Sequence, residues 1–334
     1  MYLEIASFIF GIFLLYYGSE ILVKNSTWLA KSLGVAPLIV GMTVVAFGTS
    51  APELLVSGIA SVQGNSAIAI GNVIGSNIAN IGLVLGLIVL IWPPKAEPRV
   101  VRKEFSFLIA VSVLLFFLAM DGSLSRIDGS VLIVLFVLFI YYNIMTVRRK
   151  LLGKLKHDIK EIEEKVEDTI EGVAHLDLIE HKKRKRKIIR NFGFSLIGLA
   201  LLLLGSKFLV DSSISIAQTL GVSQMVIGLS LVAIGTSLPE LFTSVIASIR
   251  KQEEINVGMI LGSNIFNTLL ILGVAAIILP IQVARQDMYV SIPIMLFFTV
   301  LAFPVLKENI RTHRLFGLFM ILGYFGFIIY SFIR

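Results

Sequence analysis

Two stretches that lie far apart in the chain decide the fold. Residues 46–61 read AFGTSAPELLVSGIAS, and residues 233–248 read AIGTSLPELFTSVIAS. The same offset of 187 positions aligns GSEILVKNSTWLAKSLGV at 18–35 with GSKFLVDSSISIAQTLGV at 205–222, without a gap. Polar identities at one fixed offset indicate an internal repeat, and shared apolar composition does not explain them. The chain therefore contains two copies of one structural unit.

The composition of the chain assigns it to the membrane. Of 334 residues, 56% are hydrophobic and only 15% are charged, and the mean hydropathy is +0.90. Soluble domains carry about 25% charged residues, so these values exclude a soluble globular enzyme, a disordered chain, a collagen and a coiled coil. Cysteine is absent, which excludes disulfides, thiolate metal sites and thiol catalysis.

Apolar runs of the length that a bilayer requires recur along the whole chain. The N-terminal run lacks a basic leader and a small-residue cleavage site, so we expect it to be a span and not a signal peptide. Five spans in each copy is an odd number, so the second copy enters the membrane upside down. We expect an all-α integral membrane protein with ten transmembrane helices in two inverted-topology repeats of five. The predicted spans are 3–23, 37–61, 66–92, 104–120, 128–147, 190–210, 223–249, 255–279, 288–306 and 315–333.

The charge distribution predicts three segments and their orientation. Residues 1–147 form the first half, 148–189 a charged loop and 190–334 the second half. The stretch 148–190 holds 14 basic and 9 acidic residues, against a net charge of +7 for the chain. Basic loops stay on the cytoplasmic side, so we expect a multi-pass plasma membrane protein with both termini extracellular. Within the cytoplasmic loop, 154–171 has the pattern of a charged amphipathic helix.

Two glutamates carry the chemistry. Glu53 and Glu240 occupy equivalent positions in the repeats, and they are the acidic residues that we place deep in the bilayer. A buried ionisable group costs several kcal/mol, roughly, unless it is compensated. Pairing with Lys or Arg is disfavoured because none lies deep in a predicted span, and protonation in a sealed core is the second alternative. A bound cation is the compensation that we favour.

Further oxygen-bearing side chains recur around both glutamates. Thr49 and Ser50 lie one turn before Glu53, as Thr236 and Ser237 do before Glu240. The motif GSNIAN at 75–80 matches GSNIFN at 262–267, so each repeat adds a serine and an asparagine one helical turn apart. These four residues are Ser76, Asn80, Ser263 and Asn267.

A proline in each repeat is expected to break the helix next to these side chains. Pro52 and Pro239 have no amide hydrogen, so each frees the carbonyl four residues earlier and kinks the helix. Nearby carbonyls such as those of Ala46 and Ala233 are then expected to face a cavity, because irregular backbone at this depth must be buried in protein or line one. All four histidines fall in loops, so the site offers oxygen alone. Such sites select hard cations such as Ca²⁺, Mg²⁺ or Na⁺.

The paired motifs GTSAPE with GSNIAN, and GTSLPE with GSNIFN, resemble the two alpha-repeats of the sodium/calcium exchanger family. The resemblance covers nearly the whole chain, and the short central loop resembles prokaryotic members. It implies one midplane site that is used alternately by about three Na⁺ or one Ca²⁺, and gating by sliding of the first and sixth spans. Carried over by position, the implied ligands are Ala46, Thr49, Ser50, Glu53, Ser76, Asn80, Ala233, Thr236, Ser237, Glu240, Ser263 and Asn267.

The resemblance leaves the coupling ion open. Potassium-dependent relatives carry an acid at the position of Asn267, so the neutral side chain here favours K⁺ independence. We expect Na⁺/Ca²⁺ antiport with Ca²⁺ extrusion. The first alternative is an antiporter on the same scaffold that is coupled to H⁺ or K⁺ and transports Ca²⁺ or another cation such as Mg²⁺. A passive cation channel is less favoured. The expected partners are Na⁺, Ca²⁺ and the lipid bilayer, with no nucleic acid and no obligatory protein partner evident. No enzymatic activity is expected.

Overall fold

The computed structural model describes residues 2–92, 98–166, 173–219, 233–303 and 310–333, and almost all of these residues are helical. The predicted helical membrane architecture is confirmed. The α-helices within these ranges are α1 (Tyr2–Leu33), α2 (Pro37–Val40), α3 (Ala46–Thr49), α4 (Ala51–Val62), α5 (Ser66–Ala79), α6 (Gly86–Ile91), α7 (Pro98–Leu118), α8 (Arg126–Val166), α9 (Val173–Thr219), α10 (Ala233–Thr236), α11 (Leu238–Ile249), α12 (Glu253–Phe266), α13 (Leu272–Ile278), α14 (Ile292–Leu301) and α15 (Ile310–Ile333).

Short π-helical segments join several of these helices into longer rods. They span Gly41–Val45, Asn80–Leu85, Asn267–Ile271 and Asp287–Ser291. The segments that begin at Asn80 and at Asn267 occupy equivalent positions in the two repeats. A π-helical turn inserts an extra residue into the helix, and such turns are common at functional sites.

Several helices extend beyond the predicted spans. Helix α1 continues to Leu33, although the apolar run ends near residue 23, and the rod α8 continues to Val166. Apolar periodicity marks the membrane-embedded part of a helix, whereas Lys- and Glu-rich sequence can continue the same helix outside it. The predicted helix 154–171 is therefore the end of α8 as far as Val166, and 167–171 lies outside the described residues.

Six of the described helical rods are long and apolar enough to cross a bilayer, and the number is seven if the bent pair Pro37–Thr49 and Ala51–Val62 counts as one span. The other three predicted spans do not meet this test within the described residues. Helix α7 carries charged residues in its first turns, Asp287–Leu301 is short, and residues 220–232 before α10 lie outside the described part.

Helices α1 and α9 are equivalent in the two repeats and pack against each other in opposite directions. Gly11 lies against Gly205, and Gly18 lies against Gly198. A Cβ atom on Gly18 would lie 2.8 Å from the Gly198 carbonyl oxygen, so only glycine permits this approach. Because the offset of 187 converts Gly11 into Gly198 and Gly18 into Gly205, the two contacts are related by the repeat itself.

A second close contact places the broken span against α12. A Cβ atom on Gly262 would lie 2.5 Å from the Met42 carbonyl oxygen, and Gly258 lies directly against Leu38. Gly258 and Gly262 therefore let α12 approach the backbone of the broken span, whereas a Cβ atom on the equivalent Gly71 or Gly75 would meet no described atom within 4 Å. Outside the helices, Ser123–Leu124 pairs antiparallel with Ile281–Gln282, a two-residue ladder that the sequence did not predict. This ladder joins one connecting loop of each repeat.

Candidate cation site

The helix that carries each glutamate is broken three residues before it. Ser50 has φ −85° and ψ 8°, and Ser237 has φ −87° and ψ 3°, so both depart from helical backbone angles. Pro52 and Pro239 then stand in the first turn of α4 and α11, where a missing amide hydrogen costs little. The two parts of the first span meet at 47°. The predicted kink is confirmed in the first repeat, and Ser237 interrupts the helix at the equivalent position of the second.

Each break places a carboxylate in the first turn of a new helix. Glu53 and Glu240 are each 1% exposed. The unpaired amides of a helix N-terminus favour negative charge there, so the local fold prepares both positions for an ionised side chain. Among the described residues, no ion pair reaches either carboxylate.

The carboxylates are connected across the repeat boundary. Ser50 donates a hydrogen bond of 3.2 Å to Oε1 of Glu240, and Ser263 donates one of 3.5 Å to the same oxygen. On the other side, Ser76 donates a hydrogen bond of 3.5 Å to Oε1 of Glu53. Ser50 also begins the turn that carries Glu53, so its hydroxyl links that turn to Glu240. The two glutamates therefore share one buried polar region.

One threonine from each repeat, Thr49 and Thr236, also lies in this polar region. The Thr49 hydroxyl lies 3.4 Å from the Ser263 hydroxyl and 3.4 Å from the Ala46 carbonyl oxygen. Thr236 lies within hydrogen-bonding reach of the Glu53 carboxylate. The Ala46 carbonyl still accepts from the Ser50 amide at 3.0 Å, so this carbonyl remains within the helix. Ala233 is the first residue of α10.

Asn80 and Asn267 complete the group, and each one begins a π-helical segment. They are 1% and 0% exposed. The Asn80 amide donates to Oδ1 of Asn264 at 3.2 Å, and the Asn267 amide donates to Oδ1 of Asn77 at 3.0 Å. Asn77 and Asn264 are the other asparagines of the motifs GSNIAN and GSNIFN. The structure makes them direct partners of the two predicted site asparagines.

Several buried oxygens of this region have no hydrogen-bond partner among the residues that the structure describes. Buried polar atoms are almost always satisfied in native proteins, and an unsatisfied one is costly. A cluster of unpartnered oxygens beside two carboxylates is what a cation would satisfy. These oxygens are Oε2 of Glu53, Oε2 of Glu240, Oγ of Ser237, Oδ1 of Asn80 and Oδ1 of Asn267.

The donor set defines the chemistry of the region. It offers carboxylate, hydroxyl, amide and carbonyl oxygens. Among the described residues, no three His, Cys, Asp or Glu side chains lie close enough together to hold one metal ion. With only two formal negative charges, neutral oxygens must supply most of the coordination. This combination suits hard cations and not soft transition metals.

The freed carbonyl of each kink is treated differently in the two repeats. Ser206 of α9 donates a hydrogen bond of 2.7 Å to the Gly235 carbonyl. The equivalent residue on α1, Ser19, donates instead to the Leu15 carbonyl of its own helix at 2.6 Å. The two repeats therefore have equivalent sequences here but form different hydrogen bonds. Ser206 bonds α9 to the helix that leads to Glu240, whereas Ser19 bonds only within α1 among the described residues.

Comparison with known proteins places this fold and site in one family. The family model described as "Sodium/calcium exchanger protein" matches residues 3–145 and 190–333. The "Sodium/calcium exchanger MaX1" of Methanosarcina acetivorans is 32% identical, over 96% of this chain and 96% of that protein. The "Inner membrane protein YrbG" of Escherichia coli is 34% identical, over 84% of this chain and 81% of that protein.

A solved structure agrees with these matches. The sodium-calcium exchanger NCX_Mj, soaked with 10 mM Na⁺ and zero Ca²⁺, superposes with a TM-score of 0.79 at 32% identity. The match covers 97% of each chain. The chain belongs to the sodium/calcium exchanger family. It is a multi-pass membrane transporter and not an enzyme.

Proposed function

We propose that the protein is a secondary active antiporter that exchanges Na⁺ for Ca²⁺, extrudes Ca²⁺ and does not require K⁺. One observation carries the proposal: Glu53 and Glu240, from opposite repeats, share one buried oxygen-lined region through the Ser50 hydroxyl. Two carboxylates balance one Ca²⁺, or Na⁺ ions that compete for the same oxygens. Exchange of about three Na⁺ for one Ca²⁺, which the family resemblance implies, would make the cycle electrogenic. The relative MaX1, named a sodium/calcium exchanger, supports this assignment.

The proposed ligands come in equivalent pairs from the two repeats. The carboxylates supply the charge, and neutral oxygens complete the coordination of either ion. Neutral amides at Asn80 and Asn267 favour K⁺ independence. The proposed set is Ala46, Thr49, Ser50, Glu53, Ser76, Asn80, Ala233, Thr236, Ser237, Glu240, Ser263 and Asn267.

The proposed topology follows the positive-inside rule. It has ten spans, in halves 1–147 and 190–334 of opposite orientation, with the loop 148–189 in the cytoplasm and both termini outside. The antiparallel contact of α1 with α9 supports the inverted arrangement. A bacterial inner membrane relative supports the plasma membrane as its location.

Alternating access is proposed to occur by movement of α1 and α9 over the other helices. Their glycine contacts give a smooth surface at the crossing. The difference between Ser206, bonded to the Gly235 carbonyl, and Ser19, bonded within its own helix, supports two states that exchange these bonds.

The test is Na⁺-driven Ca²⁺ uptake in proteoliposomes. Vesicles loaded with Na⁺ are diluted into Na⁺-free medium containing ⁴⁵Ca²⁺, with and without K⁺. We expect uptake that needs internal Na⁺ and continues when K⁺ is removed. Because the proposed cycle moves net charge, uptake should increase when a permeant anion dissipates the membrane potential. Uptake driven only by a pH gradient would reassign the coupling ion to H⁺. Uptake down a Ca²⁺ gradient without any counter-ion would indicate a channel.

A further inference from the structure

Asn77 and Asn264 are buried polar residues beside the proposed ligands but outside the proposed ligand set. They are 2% and 1% exposed. Each accepts one hydrogen bond from the site asparagine of the opposite repeat: Asn77 from Asn267 at 3.0 Å, and Asn264 from Asn80 at 3.2 Å. The arrangement is reciprocal, so it is a property of the motif and not of one repeat.

An asparagine can present either of two opposite chemistries to an ion. Its Oδ1 can coordinate a cation, whereas its NH₂ group carries positive partial charge and repels one. The neighbour that accepts from the NH₂ group determines which end faces the site. In both site asparagines the NH₂ group is held across the repeat boundary, and Oδ1 has no partner in the described part of the chain.

We propose that Asn77 and Asn264 are positioning residues, each of which holds the NH₂ group of the opposite repeat's site asparagine and thereby turns that asparagine's oxygen towards the ions. The inference rests on the proposed function, since it assigns Asn80 and Asn267 as cation ligands. Partners of this kind fix the orientation of metal ligands and, when removed, typically reduce metal affinity by roughly 10- to 100-fold.

The two positioning residues are not held equally well. Asn77 donates to Oγ1 of Thr268 at 2.9 Å and to Sδ of Met295 at 3.4 Å. A thioether accepts but does not donate, so reversal of the Asn77 amide would place its oxygen against the sulfur. The Asn267 oxygen is therefore fixed before any ion binds.

The first repeat lacks this support. The offset of 187 makes Ile81 equivalent to Thr268 and Leu108 equivalent to Met295. Both residues are buried, and their side chains have no hydrogen-bond donor or acceptor. Within the described residues, Nδ2 of Asn264 accordingly has no partner. Asn80 and Asn264 can reverse together at the cost of no hydrogen bond, so the ion itself selects the orientation of Asn80.

The test compares Asn77→Leu and Asn264→Leu with the matched control Asn143→Leu. Asn143 is also 2% exposed, but it bonds only to the Phe139 carbonyl of its own helix, at 2.9 Å. Apparent KM and kcat for Ca²⁺ are measured by Na⁺-driven uptake. We expect KM to rise about 10-fold or more in Asn77→Leu and by less in Asn264→Leu, because Asn264 does not fix the orientation of Asn80 before the ion binds. The change in kcat should be smaller, and the control should keep the wild-type KM.

A second comparison separates positioning from packing. In an Asn267→Asp background both ends of the ligand are oxygens, so its orientation no longer matters. The KM penalty of Asn77→Leu should then disappear or reverse. An equal penalty in both backgrounds would contradict the proposal, as would wild-type KM in both Leu variants. If Asn77→Leu does not fold, Thr268→Val and Met295→Leu, which release the Asn77 amide, are expected to raise KM to a smaller extent, and unchanged KM in both would overturn the proposal.

Ca²⁺- and Na⁺-dependent shifts of the thermal unfolding midpoint are measured on the same purified proteins. They report binding without transport. Wild-type protein that binds Ca²⁺ but does not exchange it for Na⁺ would refute the proposed function. In that case the half-saturating Ca²⁺ concentration for thermal stabilisation still tests the positioning role, by the same expected 10-fold rise.

Discussion

The Ser50 hydroxyl of the first repeat donates a hydrogen bond of 3.2 Å to the Glu240 carboxylate of the second. Ser50 is also the residue at which its own helix breaks. The break that presents Glu53 therefore presents, in the same turn, a hydroxyl to the opposite glutamate. The two half-sites are interlocked, and a change in one repeat is expected to alter ion binding by the other.

Ser50→Ala tests this connection. It removes a hydrogen bond to a carboxylate, worth about 1.5–3 kcal/mol, together with a proposed ligand oxygen. We expect the apparent KM for Ca²⁺ to rise by about 10- to 100-fold. Ser61→Ala is the matched control, because Ser61 lies on the same helix and bonds to the Ala275 carbonyl at 2.6 Å, away from the site. Equal KM values in the two variants would contradict the assignment of Ser50.

Glu53→Gln and Glu240→Gln remove one charge each without loss of volume. We expect a loss of about 2–5 kcal/mol of Ca²⁺ binding free energy, and no measurable exchange. The ion-free variants should unfold at a higher temperature than ion-free wild type, because two unpaired buried carboxylates no longer repel each other. Glu104→Gln is the control: Glu104 is buried in α7, outside the site. Wild-type exchange by either site variant would refute the proposed site.

Gly18→Ala tests movement at the crossing of α1 and α9. The added Cβ would lie 2.8 Å from the Gly198 carbonyl oxygen and force the helices apart, at a cost of about 1–3 kcal/mol. We expect a slower maximal exchange rate with little change in Ca²⁺ affinity at equilibrium. Gly193→Ala on α9 is the control, since its Cβ would meet no atom of the described residues within 4 Å. An unchanged rate in Gly18→Ala would argue against gating at this contact.

Arg250→Gln tests the contact that holds α1 at its proposed cytoplasmic end. Arg250 pairs with Glu20 of α1 through two nitrogens, and Thr27 of α1 donates to Oε1 of Gln252 at 3.1 Å. Without the ion pair, α1 should separate more often from α11. The chain has no cysteine, so Ser26→Cys, at a fully buried position on α1, gives a single thiol for labelling. We expect faster maleimide labelling from the cytoplasmic side in Arg250→Gln.

The control for this labelling experiment is Lys251→Gln. Lys251 follows Arg250 directly and lies 5.7 Å from the Trp92 ring, away from Glu20. It should leave the labelling rate unchanged. Equal labelling rates in wild type and Arg250→Gln would show that the ion pair does not control the movement of α1.

Asn267→Asp tests the basis of K⁺ independence. The substitution adds a third carboxylate to the buried region, and a third charge calls for a further monovalent cation. We expect Ca²⁺ exchange by this variant to depend on K⁺, whereas wild-type exchange does not. Exchange is measured in K⁺-free and K⁺-containing buffers of equal ionic strength. If exchange by this variant is equally fast with and without K⁺, the side chain at position 267 does not determine K⁺ dependence.

The sequence predicts the local features of the fold and much less of the contacts between repeats. The fixed offset identified the two copies, and the chemistry of Pro52 and Pro239 predicted both kinks. The π-helical turns at Asn80 and Asn267 were not predicted, because an inserted residue leaves the apolar pattern almost unchanged. The two-residue ladder was missed for a similar reason, since so short a pairing has no periodicity.

Partners distant in sequence could not be predicted in this way. The pairing of Glu20 with Arg250 depends on how α1 packs against α11. The bonds from Asn80 to Asn264 and from Asn267 to Asn77 likewise follow from helix packing. One signal was available: the repeat preserves both asparagines of GSNIAN and GSNIFN, although a single ligand per motif would need only one.

The most direct test of the central claim is the number of Ca²⁺ ions bound per chain. It is measured by equilibrium binding of ⁴⁵Ca²⁺ to purified protein in Na⁺-free detergent solution, for wild type, Glu53→Gln and Glu240→Gln. If both glutamates serve one site, wild type binds one Ca²⁺ per chain, Na⁺ displaces it, and either single variant binds none at the same concentration. Two ions bound by wild type, with one retained in each variant, would show two independent sites and contradict the account.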